Sequence, residues 1–195
     1  MTINIFRLLQ RTKIAGPGYR FCIWVQGCSR HCDGCMAEET WSHDDSILMS
    51  TEELFEQIIW ASKTSYIEGI TFLGGEPFEQ SEAVATLAEQ VRGTGLSVVT
   101  FTGFTVVELL AQKDESIQRL LSSTDLLIDG PFIKEQFDLS KPWIGSSNQQ
   151  YHFLTDRYSE NDLLKIKNQI EIRIATDGKA LVNGMGDFSM IKQLL

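Results

Sequence analysis

The chain has 195 residues, of which 43% are hydrophobic and 22% are charged, and its formal net charge at pH 7 is -9. This length and balance predict a single globular domain over residues 1–195, or one domain with a small extension. The acidic surface argues against nucleic-acid binding through basic patches. No stretch reaches the roughly 20 apolar residues of a membrane span, and the first residues lack a signal-peptide pattern.

Strands and helices are predicted to alternate along most of the chain. The predicted strands cover residues 2–8, 20–26, 69–73, 96–101, 125–130, 151–154 and 170–175, and a hairpin pairs 172–175 with 179–182 across Asp177-Gly178. Three predicted helices begin at capping boxes, at Ser50–Glu53, Thr105–Glu108 and Ser159–Asp162, and the last of them covers 159–168. Three more are predicted: one that begins at Ser81, one over 116–122 and one that begins near Asp187. About six such βα units are too few for a closed eight-stranded barrel, so we expect an α/β fold in the form of a partial, open TIM-like barrel.

Three cysteines follow the strand predicted at 20–26. Cys28, Cys32 and Cys35 have the spacing C-x3-C-x2-C and lie at the carboxyl end of that strand, where α/β folds place their sites. A 4Fe-4S cluster normally takes four Cys ligands, one per iron, so three thiolates leave one iron open to another ligand. An open coordination position is where a metal centre carries out chemistry.

Two other interpretations of the cysteines stay open. A structural zinc site needs a fourth ligand, and His31 or Cys22 is available for it. Cys22, however, lies in an apolar strand, and free Cys often behaves as a small hydrophobe. A redox pair of Cys32 and Cys35 leaves Cys28 without a role. In each case the clustered thiols favour a reducing compartment, and we expect a cytoplasmic protein.

A second motif, Gly74-Gly75-Glu76-Pro77, ends the strand predicted at 69–73. Glycines allow a backbone to approach a ligand closely, and the Glu76 carboxylate is an acceptor for a ligand ammonium. The simpler interpretation is a tight turn with a surface Glu, because short motifs match by chance.

The two motifs together resemble the signature of the radical SAM superfamily. Further segments resemble the activating enzyme of anaerobic (class III) ribonucleotide reductase and its near relatives, so that the resemblance covers roughly residues 3–155. These segments are Gly-Pro-Gly-Tyr-Arg at 16–20, Trp-Val-Gln-Gly-Cys at 24–28, Glu-Thr-Trp at 39–41, Phe-Thr-Gly-Phe-Thr at 101–105, Leu-Ile-Asp-Gly-Pro-Phe at 127–132 and Gly-Ser-Ser-Asn-Gln at 145–149.

The resemblance implies a radical SAM type of barrel, one 4Fe-4S cluster and S-adenosylmethionine as cofactors. It implies that Cys28, Cys32 and Cys35 are the cluster ligands. For Asp129 it leaves two interpretations, a polar contact to S-adenosylmethionine or substrate and a plain turn residue. The implied S-adenosylmethionine contacts are Gly74, Gly75 and Glu76 at the methionine group, the backbone around Gly34 and Met36 along the adenine, Thr102 near the ribose, and Asp129.

The implied reaction is reductive cleavage of S-adenosylmethionine to methionine and a 5'-deoxyadenosyl radical, which abstracts a hydrogen atom from a glycine of a partner protein. The sequence holds no second redox centre, so an external one-electron donor such as flavodoxin or ferredoxin is expected. One alternative is a radical SAM maturase of another peptide or a small molecule, because the extension over 156–195 departs from the family core. The other alternative is a non-catalytic iron-sulfur protein for electron transfer or binding, although the Gly-Gly-Glu-Pro motif argues against this alternative.

The stretch over 131–150 is predicted to be irregular, and loops of this length are usually functional or disordered. Phe132, Phe137 and Trp143 lie in it among polar residues. We expect these aromatic residues to line the gap of the open barrel and to contact a protein substrate. The other interpretation is that they pack over the open end of the barrel.

Overall fold

The computed structural model describes residues 1–44 and 47–186, and this part contains nine strands and five α-helices. The strands are β1 (Thr2–Thr12), β2 (Arg20–Val25), β3 (Leu48–Ser50), β4 (Gly69–Gly74), β5 (Ser97–Phe101), β6 (Leu126–Asp129), β7 (Gln150–Phe153), β8 (Ile170–Ile174) and β9 (Ala180–Gly184). The helices are α1 (Thr51–Thr64), α2 (Ser81–Arg92), α3 (Val106–Ala111), α4 (Glu115–Ser122) and α5 (Glu160–Leu163). None of the helices in these described ranges has the length and apolar character needed to cross a membrane.

Seven strands form one sheet in the order β3-β1-β2-β4-β5-β6-β7. The four central strands, β2, β4, β5 and β6, are parallel, and each of the three connections between them contains at least one α-helix: α1 after β2, α2 after β4, and α3 and α4 after β5. The outer strands β1, β3 and β7 are antiparallel to their neighbours. The protein therefore has a mixed α/β fold, which confirms the predicted class.

The predicted number of about six βα units is too high. Only four strands of the described sheet are parallel, and β7, predicted as a further unit, runs antiparallel to β6 with Asp129 opposite Gln150. A parallel strand needs a crossover connection, usually an α-helix. The stretch between β6 and β7 contains only the 3-10 turn Lys134–Gln136, so the chain returns in the opposite direction. Closure of the sheet into a partial barrel stays a prediction.

Two of the capping boxes predicted from the sequence are present, at the N-termini of α1 and α3. Ser50 Oγ accepts from Glu53 N at 3.1 Å while Ser50 N donates to Glu53 Oε2 at 3.0 Å, which starts α1. Thr105 and Glu108 form the same reciprocal pair at α3. The predicted inward residues of α1 and α2 are all buried in the main core: Leu54, Ile58, Ala61, Val84, Leu87, Ala88 and Val91.

The C-terminal extension packs on the other face of the sheet. β8 and β9 pair antiparallel, which confirms the predicted hairpin. Leu181 of β9 packs against a buried cluster that contains Leu9 and Trp24, and Thr12 Oγ1 donates to Glu171 Oε2 at 2.9 Å. The capping box at Ser159 is present, but α5 ends at Leu163 and is shorter than predicted. The helix predicted near Asp187 lies outside the described residues, and the single-domain assignment stays a prediction.

Candidate functional site

The carboxyl ends of the four parallel strands meet at one edge of the sheet and bring together the loops that the sequence singled out. Gly75 N donates to Val25 O at 2.8 Å, and Glu76 N donates to Gly27 O at 2.8 Å. Thr102 N, just after β5, donates to Ile128 O of β6 at 2.9 Å. Backbone hydrogen bonds thus join the Gly-Gly-Glu-Pro turn to the start of the cysteine loop and the loop after β5 to β6, and the Glu76 carboxylate connects the two parts of this rim.

The three loop cysteines are half-buried and unpaired. Cys35 N donates to Cys32 O at 3.1 Å, and Cys35 Sγ accepts from Ala37 N at 3.4 Å. Burial raises the pKa of Cys28 to about 11, so its thiol becomes a ligand only when a metal displaces the proton. The donor set therefore suits a metal centre bound by soft thiolates.

The arrangement of these side chains bears on the alternative of a single bound ion. Among residues 1–44 and 47–186, no three His, Cys, Asp or Glu side chains converge closely enough to hold one metal ion. A 4Fe-4S cluster does not need such convergence, because each Cys binds a different iron. The two residues offered as a fourth zinc ligand are also engaged elsewhere. The His31 ring stacks on Trp41 at 4.7 Å, and Cys22 is fully buried in β2 with its pKa raised to about 12 by burial.

The two glycines of the Gly-Gly-Glu-Pro turn are required by the packing of β4 against β2. A Cβ on Gly74 would come within 2.8 Å of Trp24 Cα, and Gly74 has a φ of +99°. A Cβ on Gly75 would overlap Gly27 O. Only glycine lets the turn lie this close to the start of the cysteine loop.

Glu76 projects into the protein and not into solvent. It is 1% exposed, and its carboxylate accepts from Phe78 N at 3.0 Å, Thr102 Oγ1 at 2.9 Å and Gly103 N at 2.8 Å. Burial raises the pKa of Glu76 to about 7 against the lowering effect of these hydrogen bonds. A carboxylate has about four acceptor positions, so roughly one stays available for a ligand.

The other predicted contact residues lie on the same rim. Asp129, at the end of β6, is 4% exposed; its Oδ2 accepts from Val106 N at 2.7 Å and lies 3.0 Å from His152 Nε2. The carboxylate therefore caps α3. Gly34 lies beside the loop after β6, because a Cβ there would be 3.5 Å from Phe132 Cε1. Met36 is 66% exposed.

The chain is similar to known proteins over most of its length. The family model described as "4Fe-4S single cluster domain" matches residues 14–152. The anaerobic ribonucleoside-triphosphate reductase-activating protein of Vibrio cholerae is 36% identical over 148 residues, which cover 73% of this chain and 92% of that protein. The chain belongs to the family of these activating proteins.

Other members of the activating-protein family agree. The protein of the same name from Haemophilus influenzae is 33% identical over 77% of this chain and 97% of its own length, and that of Enterobacteria phage T4 is 30% identical over 82% and 100%. Among solved structures, QueE from Escherichia coli is similar over 54% of each chain at 18% identity, with a TM-score of 0.44. The curated relatives confirm the resemblance found in the sequence.

Membership of the activating-protein family also decides between the interpretations of the cysteines. The family description specifies one 4Fe-4S cluster, which confirms the predicted cofactor and disfavours the zinc site and the redox pair. The matched range ends before β8, so the hairpin of the extension lies outside it.

Several residues of the rim were not identified from the sequence. Ser29, Arg30 and Glu79 bind the cysteine loop to its neighbours, and His152 lies beside Asp129. The one available signal was the second glutamate of Gly-Gly-Glu-Pro-Phe-Glu, three positions after Glu76. Ser29, which Glu79 binds, is 50 residues away in sequence, so a local sequence pattern could not identify this contact.

Proposed function

We propose that this protein is a radical SAM activase that generates a glycyl radical in a partner protein of the anaerobic ribonucleotide reductase type. One observation carries the proposal: three unpaired cysteines lie at the carboxyl edge of a parallel sheet, hydrogen-bonded through their loop to the Gly-Gly-Glu-Pro turn. Family membership supports it, because the curated relatives are named for this activating role.

Cys28, Cys32 and Cys35 would hold the cluster through their three sulfur atoms. When bound, the cluster would pass one electron from the external donor to S-adenosylmethionine for its reductive cleavage, the chemistry that leads to hydrogen-atom abstraction from the partner's glycine. The chain itself positions the participants and excludes competing reactions. The half-buried cysteines limit the access of water to the sulfur atoms.

Glu76 is proposed to bind the ammonium of S-adenosylmethionine with its remaining acceptor position. Phe78 N, Thr102 Oγ1 and Gly103 N fix the orientation of the carboxylate before a ligand arrives. Such preorganisation lowers the entropic cost of binding. Gly74 and Gly75 act indirectly, by letting the turn lie against Trp24 and Gly27.

The remaining contacts are proposals of the same kind. The backbone around Gly34 and Met36 lies along the adenine, and Thr102 lies near the ribose. The Thr102 hydroxyl already donates to Glu76 and accepts from Phe104 N at 3.1 Å, so we propose that its main effect is on the shape of the pocket. Asp129 is proposed to act through α3, whose first amide it binds.

The sheet is proposed to curve into a partial, open barrel whose gap admits a segment of the partner. The electron is proposed to come from an external donor such as flavodoxin or ferredoxin. Both partners would meet the protein in the cytoplasm, and we propose no contact with nucleic acid or membrane because the net charge is -9.

The test is anaerobic reconstitution with iron and sulfide, reduction, and addition of S-adenosylmethionine. We expect one cluster per chain, 5'-deoxyadenosine as a product, and a change in the cluster's EPR spectrum on binding S-adenosylmethionine. With a glycyl-radical reductase present, a doublet from the partner's glycine should appear. A cluster without cleavage would favour an electron-transfer protein, whereas cleavage with another peptide or a small molecule as the acceptor would favour a maturase.

A further inference from the structure

Glu79 connects the Gly-Gly-Glu-Pro turn to the cysteine loop. It lies in the 3-10 turn Pro77–Gln80, and its amide donates to Glu76 O at 3.1 Å. Its carboxylate turns away from that of Glu76: Oε1 accepts from Ser29 N at 2.9 Å and from the Ser29 hydroxyl, and Oε2 lies 3.1 Å from His43 Nε2. One short turn thus sends one carboxylate to the loop after β5 and the other to the cysteine loop.

The backbone on both sides of Cys28 is held from outside the loop. On one side, Gly27 N donates to Thr40 O at 2.8 Å and Cys28 N donates to Trp41 O at 3.2 Å. On the other side, the amide of Ser29 is held by Glu79 alone among the described contacts. Charge-assisted hydrogen bonds of this kind are roughly twice as strong as neutral ones.

A second carboxylate, that of Glu108, binds the next residue of the cysteine loop, Arg30. Arg30 Nη1 donates to Glu108 Oε1 at 3.3 Å, and the Arg30 guanidinium lies 4.8 Å from the centre of the Phe104 ring. Glu79 binds the cysteine loop more closely than Glu108 does. It accepts from both the amide and the hydroxyl of Ser29, the amide at 2.9 Å, whereas Glu108 accepts from Arg30 once at 3.3 Å.

We propose that Glu79 is a positioning residue for the iron-sulfur centre: it fixes the backbone after Cys28 through Ser29 and places a negative charge beside the cluster. The inference rests on the proposed cluster site, but not on the proposed reaction with S-adenosylmethionine. Removing the acceptor frees the Ser29 amide and loosens the loop. Removing only the negative charge of Glu79 makes reduction of the nearby cluster easier, which raises the midpoint potential of the cluster.

The experiment compares full-length wild type, Glu79→Ala, Glu79→Gln and a control, Glu82→Ala, all reconstituted anaerobically. Glu82 is an exposed residue in the first turn of α2 and carries the same charge. Two quantities are measured without S-adenosylmethionine: the rate of iron release to a chelator and the midpoint potential of the cluster by EPR-monitored titration. Neither readout depends on catalytic activity.

We expect Glu79→Ala to release iron about threefold faster than wild type or more, because the backbone after Cys28 loses its charge-assisted acceptor and the loop moves more freely. Glu79→Gln keeps an acceptor for Ser29, so it should release iron more slowly than the alanine variant while its midpoint potential shifts to more positive values. Glu82→Ala should match wild type in both.

Two results would overturn the inference: wild-type iron release in Glu79→Ala, or a shift of potential without any change in release, which would leave Glu79 as a distant charge only. A wild-type protein that holds its cluster but fails to cleave S-adenosylmethionine would count against the proposed function, and the comparison of iron release would still stand.

Discussion

The four cysteines differ in what surrounds their sulfur atoms, and this difference makes a direct prediction. Cys28→Ala, Cys32→Ala and Cys35→Ala should each lose the cluster, because each removes one of the three proposed iron ligands. Cys22→Ala should keep it, since Cys22 is fully buried in β2 and packs in a cluster with Leu9 and Trp24, outside the cysteine loop. Iron and sulfide per chain after reconstitution measure the outcome. Equal iron loss in the Cys22 variant would show that the ligands are assigned wrongly.

Glu76→Ala should weaken binding of S-adenosylmethionine and leave the iron content intact. The variant removes the acceptor for Phe78 N, Thr102 Oγ1 and Gly103 N together with the proposed ligand contact. We expect a loss of affinity of about tenfold or more, as for other hydrogen bonds to charged groups. Titration of the reconstituted protein measures it, with Glu82→Ala as the control. Unchanged affinity would disprove the role of Glu76.

The buried carboxylate of Glu76 also predicts how stability depends on pH. In the folded protein the Glu76 carboxyl has a pKa of about 7, whereas in the unfolded chain it has the ordinary pKa of 4.5. Between these values the folded state binds more protons, so the free energy of unfolding falls as pH rises, by at most about 3 kcal/mol.

Urea unfolding of the iron-free chain at about pH 5 and about pH 8 checks this prediction. The loss between the two should be smaller in Glu76→Gln, whose side chain does not titrate, and unchanged in Glu82→Gln. Equal pH dependence in wild type and Glu76→Gln would mean that the three donors keep the carboxylate ionised throughout.

At this scale, the sequence identified residues whose chemistry is encoded locally and missed those that depend on topology. Cys28, Cys32 and Cys35 lie within one loop, so their spacing alone predicts a metal centre. Thr102 binds Glu76 across 26 residues, and the contact exists only because β4 and β5 run parallel and end together. The partner of Glu79 is set in the same way by the pairing of β2 with β4.

Among the elements, the prediction failed where pairing direction or short length was decisive. β7 has the apolar and aromatic pattern of a strand, but nothing in Gln150–Phe153 specifies its direction; the lack of a crossover helix before it does. β3 has only three residues, too few for an alternating pattern, and is ordered by pairing with the start of β1. By contrast, the side chains of β2 alternate between the two faces of the sheet. Phe21 and Ile23 belong to the core under the helices, and Cys22 and Trp24 belong to the cluster on the opposite face.

The elements at the opposite edge of the sheet are joined by Arg20, a fully buried cation. Its guanidinium donates to groups from the Gly-Pro-Gly turn, from β4 and β5, and from the extension. These acceptors are Pro17 O, Ile70 O, Thr71 Oγ1, Ser97 O, Ser97 Oγ and Tyr158 OH. A planar fork with five donors suits such a site, and a single ammonium does not.

Arg20→Lys should therefore lower the free energy of unfolding by about 3 kcal/mol or more, because several buried acceptors lose their donors. Arg119→Lys is the matched control: Arg119 pairs with Glu89 on the surface, and its replacement should cost less than about 1 kcal/mol. Denaturant unfolding measures both. A loss for Arg20→Lys no larger than that of the control would contradict the account of Arg20 as a connecting residue.

In the whole molecule, the helices cover one face of the sheet, and the long loop and the extension cover part of the other. Trp143 is 4% exposed and packs with Val99 and Ile128, so it belongs to the core on this face of the sheet; packing of the loop over the open end of a barrel stays a prediction. Phe137 is 61% exposed, and Phe132 lies between the cysteine loop and Gly145. The three aromatic residues of this loop therefore have different surroundings, and Phe137 is the exposed one.

This distribution leads to the last prediction, that the substrate is a protein segment. Phe137→Ala should leave stability, cluster content and S-adenosylmethionine cleavage without partner close to wild type, since the side chain is exposed. It should weaken anaerobic capture of the glycyl-radical reductase and reduce the glycine doublet seen by EPR, because exposed aromatic residues often dominate binding energy. Leu164→Ala, at an equally exposed apolar residue after α5, is the control and should not change capture. Stoichiometric use of a small metabolite, with no protein captured and no protein radical, would overturn the prediction.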